Sequence, residues 1–110
     1  MRSAALLALA LCVARAQASD GEKQAVIRTV ERTFDALAAG DAAALRALLL
    51  PDARFHAVRP DGALAAASAD EFIARISRAA EKPLERMWNP FVLPSGRLAV
   101  LWAEYDFHRG

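Results

Sequence analysis

The chain has 110 residues, 14 basic and 13 acidic side chains, a formal charge of +1 and a single cysteine. That length allows one small domain, and one cysteine excludes an internal disulfide framework. The charges are interspersed rather than blocked, so there is neither a nucleic-acid footprint nor a polybasic membrane patch, and the expected partner is a small molecule or another protein.

The first segment carries a targeting pattern. Met1-Arg2-Ser3 is a basic start, Ala4 to Val13 is an unbroken apolar run, and Ala14 to Ala18 contains two small-x-small sites. The pattern reads as a secretory signal peptide over residues 1–18, too short to span a bilayer, and implies export to the periplasm or the medium. Two alternatives stand beside it: a lipoprotein signal built on Cys12, which the bulky Leu11 disfavours, and an uncleaved apolar helix. Cleavage after Ala18 leaves a domain over residues 19–110 with no cysteine and, without Arg2 and Arg15, a formal charge of −1. Such a domain has no membrane segment, and packing alone must hold it together.

Ser19-Asp20-Gly21-Glu22 fits a capping box and predicts a helix start. Val26, Ile27, Val30, Phe34, Leu37 and Ala38 then recur at helical spacing as one apolar stripe. Gly40 supplies a left-handed stop, and Asp41 caps a shorter helix that turns Leu45, Leu48 and Leu49 inward and closes at Pro51-Asp52. Ala53 to Arg59 switches to period two, Pro60-Asp61-Gly62 is a turn, and Ala63 to Ala67 is a weak return strand. Ser68 and Glu71 repeat the capping box before a third helix with Phe72, Ile73 and Ile76 inward. Leu84 to Val92 reads as a strand, with Asn89-Pro90 marking a bulge or an edge because proline cannot donate to a ladder.

A Pro94-Ser95-Gly96 turn leads into a last strand, Arg97 to His108. Alternation places Leu98, Val100, Trp102, Glu104, Asp106 and His108 on one face, and Ala99, Leu101, Ala103, Tyr105 and Phe107 on the other, which has the composition of a core face. The order helix, helix, strand, strand, helix, strand, strand is an α+β arrangement.

This order resembles the nuclear transport factor 2-like superfamily, in its SnoaL-like and putative lumazine-binding bacterial branch. The resemblance is carried by Val30 to Leu37 with Gly40-Asp41, by Leu48-Leu49 with Pro51-Asp52-Ala53, by Asp70-Glu71-Phe72, and by Leu98-Ala99-Val100 with Tyr105-Asp106-Phe107. It implies a strongly curved antiparallel sheet packed on three helices, a cone-shaped roll enclosing an apolar cavity. The family also implies two further strands after Gly110, so the roll is expected to be incomplete at its C-terminus and to find cover in a second copy of the chain.

Three functional readings follow: an exported small-molecule-binding domain, an isomerase, dehydratase or cyclase with an acid/base pair in the cavity, and a non-catalytic dimerisation module. Fold does not decide among them, and no complete catalytic set, cofactor motif or local metal-ligand spacing is present. The candidate ligand-binding residues are Phe34, Phe72 and Trp88 as apolar walls, with His56, Tyr105, Asp106 and His108 as polar anchors. His108, Asp106 and Glu104 share a face about 7 Å apart in succession, given a rise of about 3.3 Å per residue. An Asp/His pair there can work as base and orienting group, or can simply be a solvated strand end. Tyr105 either presents its hydroxyl to the cavity or bonds a helix-end carbonyl.

Overall fold

The computed structural model describes the backbone of residues 2–109 and side chains from Asp20 to His108. The elements run α1 (Arg2–Ala39), α2 (Ala42–Leu48), β1 (Arg54–Val58), β2 (Leu64–Ser68), α3 (Ala69–Arg78), β3 (Pro83–Ser95) and β4 (Leu98–Arg109). Three helices with antiparallel strands make the α+β class expected from the pattern. Among the described residues, no helix is long and apolar enough to cross a membrane.

The first boundary differs from expectation. Helix α1 passes through Ser19 to Glu22 without a break, so no helix starts there. The residues ahead of Ser19 are mostly alanine and leucine, strong helix formers, and extending an existing helix costs far less than nucleating one. The side chains of the expected leader, residues 1–18, lie outside the described set.

At the other end of α1 the local code holds. Gly40 takes φ +63°, its N–H donates to the Leu37 carbonyl, and the Asp41 N–H donates to the Ala36 carbonyl. This is the Schellman closure, which a left-handed glycine permits. The Asp41 side chain then accepts from the Ala44 N–H at 3.0 Å and starts α2. Leu45, fully buried, is the centre of a core made with Ala36, Leu37 and Ile73. The three helices therefore meet at one small apolar cluster. Phe34, expected to face inward, packs against this cluster but is only half-buried.

In α3 the Ser68 hydroxyl accepts from the Glu71 N–H while the Glu71 carboxylate accepts from the Ser68 N–H, a complete capping box. The two bonds from Ser68 hold the Glu71 carboxyl below its usual range. At the far end, Lys82 Nζ donates to the carbonyls of Ile76, Ser77 and Ala79 and closes the helix. The helix-end carbonyls are thus met by lysine, not by Tyr105.

Among the described residues the strands form two separate antiparallel hairpins, β1–β2 and β3–β4, with no ladder joining them. The single continuous curved sheet of the expectation is therefore open at its middle. In the first hairpin the turn is closed by Asp61, whose carboxylate accepts from the Ala63 N–H. In the second, Ser95 pairs with Leu98, so the loop is Gly96-Arg97 and β3 runs three residues beyond the expected Val92. The expected irregularity at Asn89-Pro90 is a bulge between Trp88 and Phe91, with Asn89 at φ +48°. Hairpin β3–β4 packs on α1, and β3 contributes the buried Val92.

Candidate functional site

The gap between the two hairpins is a half-open pocket of about 920 Å3. Helix α1 supplies Thr33, Phe34 and Leu37; β1 supplies Phe55, His56 and Ala57; β2 supplies Ala65 to Ala67. From α3 and the segment after it come Phe72, Arg75, Ile76, Arg78, Ala79, Ala80 and Glu81, and the second hairpin adds Pro83, Glu85, Tyr105 and Phe107. Four of the chain's five phenylalanines and its only tyrosine line this space. Tyr105 is 64% exposed and Phe107 48% exposed, so the β4 wall is open to water.

The pairing register explains which side chains share a wall. Glu85 lies opposite Phe107 and Met87 opposite Tyr105, and directly opposed residues point to one face. That face looks into the pocket. Its neighbours Leu84, Arg86 and Trp88, opposite His108, Asp106 and Glu104, point the other way.

Of the seven residues expected at the site, Phe34, His56, Phe72 and Tyr105 surround the pocket. Trp88, Asp106 and His108 are on the outer face of the β3–β4 hairpin and do not reach it. There His108 Nε2 lies 2.8 Å from Asp106 Oδ2, Arg86 donates to the same oxygen at 3.1 Å, and the Arg86 guanidinium stands 5.8 Å from the Trp88 ring centre. The hydrogen bond to His108, followed by the contact with Arg86, holds the Asp106 carboxyl below its ordinary range. The Asp/His geometry foreseen from alternation is present, but across the sheet from the pocket. His56 and His108 stand on different hairpins.

Several pocket residues escaped sequence reading. Phe55 stacks on Phe72, with ring centroids 3.9 Å apart. Arg75 follows Phe72 by three residues, a spacing that places it beside Phe72 on the surface of α3, and Arg78 follows by three more. Glu85 is half-buried on the inner face, and burial pushes its carboxyl above the usual range. The helical spacing of Arg75 from Phe72 was visible in the sequence; the inward turn of Glu85 was not, since it depends on the register with β4.

The pocket combines apolar walls with a few polar groups at its rim, the composition of small-molecule sites. Comparisons with curated proteins and with solved structures return no match. A model of the putative lumazine-binding family matches residues 21–92, which span α1 from Gly21, α2, β1, β2, α3 and β3 as far as the buried Val92. With that match covering more than half of its length, the chain belongs to the putative lumazine-binding family of the nuclear transport factor 2-like superfamily.

Proposed function

We propose that this protein is an exported small-molecule-binding domain whose ligand occupies the pocket between the two hairpins. The observation that carries the reading is the gathering of Phe34, Phe55, Phe72, Tyr105 and Phe107 around one space of about 920 Å3. Family membership supports small-molecule binding in general terms. Occupation of this pocket by the ligand, and export, go beyond family membership, the latter resting on the basic start, apolar run and Ala16-Gln17-Ala18. The acid/base pair that an isomerase, dehydratase or cyclase needs draws no support from Asp106 and His108, which stand on the other face.

A neutral aromatic probe, phenylnaphthylamine, tests the site by its fluorescence. The parent is expected to bind it, and Ala65→Trp, on the face of β2 shared with Phe55 and Ala57, to abolish binding. Binding unchanged in Ala65→Trp, and in Ala57→Trp from the facing strand, refutes the assignment. For export, an intact mass of the exported form beginning at Ser19 is expected; one retaining Met1 counts against the leader.

The reading includes a homodimer joined over the outer face of β3–β4. Phe91, Leu93, Leu98, Val100 and Trp102 are all exposed there, and the β3–β4 ladder has an unpaired edge on each side among the described residues. Contiguous apolar surface of this kind marks an interaction surface, and open edges invite a further strand. Light scattering is expected to give a dimer for the parent and a smaller species for Trp102→Glu. A compact monodisperse parent monomer refutes it.

A further inference from the structure

We propose that the ligand of this pocket is a flat anion whose acidic group is held by Arg75 and Arg78, an inference that rests on the small-molecule reading above. The two guanidiniums lie one helical turn apart along α3 and border the space that Phe72 and Ile76 of the same helix help to wall. Neither forms an ion pair with any described residue: the salt bridges present join Arg46 to Asp70, and Arg86 and His108 to Asp106. Glu71, one turn before Arg75, feels its charge, yet its carboxylate is already engaged by the Ser68 N–H.

The bland role for basic residues in the last turn of a helix is to satisfy its terminal carbonyls and its dipole. Here Lys82 takes that role, donating to three of those carbonyls. Both guanidiniums therefore keep their donors for something else, and a planar fork of donors suits a carboxylate, sulfonate or phosphate oxygen pair. Two acidic side chains also border the space. Glu81 is exposed at the rim, and Glu85 is half-buried on the inner wall, where burial disfavours its charged form. Neither carboxylate forms an ion pair with Arg75 or Arg78. The aromatic side chains offer ring faces to a flat, apolar body, with the Phe55–Phe72 stack setting the orientation of one wall.

The test uses the full chain and two probes with one ring skeleton, neutral phenylnaphthylamine and the anionic anilinonaphthalene sulfonate, titrated by fluorescence. The sulfonate is expected to bind more tightly than the neutral probe. Replacing Arg75→Gln together with Arg78→Gln is expected to lower the ratio of the two affinities about threefold to tenfold, the range for two solvent-accessible ion pairs. Both side chains are exposed, so the double variant keeps its core. Equal affinities in the parent, or a ratio unmoved by the double substitution, overturn the anion assignment while the pocket stands. If Ala65→Trp and Ala57→Trp leave both probes bound as in the parent, the pocket reading itself fails and takes this inference with it.

Discussion

Phe55 of β1 and Phe72 of α3 stack face to face, their ring centroids 3.9 Å apart and their planes 10° from parallel. The contact ties the first hairpin to the third helix and forms one wall of the pocket. Aromatic pairs contribute about 0.5–1.5 kcal/mol beyond the area they bury. A double-mutant cycle of Phe55→Leu and Phe72→Leu, followed by urea denaturation, is expected to return a coupling of that order. Simple additivity of the two single changes would mean that the rings pack independently.

Leu45 is the only large side chain among the described residues with no exposed surface, and all three helices touch its cluster. Leu45→Ala leaves a void that the short helix α2 cannot close without moving its Asp41 cap. The expected loss is about 2–5 kcal/mol by chemical denaturation. An unchanged midpoint would show that α2 is not part of the cooperative unit.

At Gly40 two constraints coincide. Its φ of +63° suits glycine, and an added Cβ would stand 2.7 Å from Lys82 Cε. The lysine stem is flexible and can retreat, but its Nζ then leaves the carbonyls at the end of α3. Gly40→Ala is expected to cost about 1–2 kcal/mol from the left-handed backbone alone. The loosening should also appear as faster amide exchange at the C-terminal end of α3, and protection equal to the parent's would uncouple the turn from that helix.

Glu85 carries a pH dependence of defined sign. Burial raises its carboxyl above the ordinary 4.5, so the folded state holds the proton more tightly than the unfolded chain. Its contribution to stability therefore falls as pH rises from the ordinary value through the raised one. Glu85→Gln removes that loss. The melting temperature of the variant is expected to exceed the parent's by more at about pH 7 than at about pH 4. An equal difference at both values would mean that Glu85 is solvated in the folded protein.

The local code was legible in the sequence because its causes are local. Gly40 with Asp41, the Ser68–Glu71 box and the Asn89-Pro90 bulge each act over a few residues, and the structure uses each one. The two capping boxes mark the limit of that code. Ser68 follows a strand, where the chain must start a helix afresh, whereas Ser19 follows a run of helix formers and the helix passes straight through it.

Tertiary structure decided what depends on register. Glu85 and Met87 face inward before the bulge, Val92 and Pro94 after it, because one extra residue in β3 shifts the alternation. Trp88 and Phe91 consequently share the outer face, and a sequence reading cannot assign Trp88 to a side without knowing its partner, Glu104. The separation of the two hairpins, which opens the pocket and brings Phe55, Arg75, Glu85 and Tyr105 to one space, rests on pairing between distant strands. No stretch of sequence carries that pairing by itself, since the hydrogen bonds that would join the hairpins or leave them separate have their donors and acceptors in segments far apart along the chain.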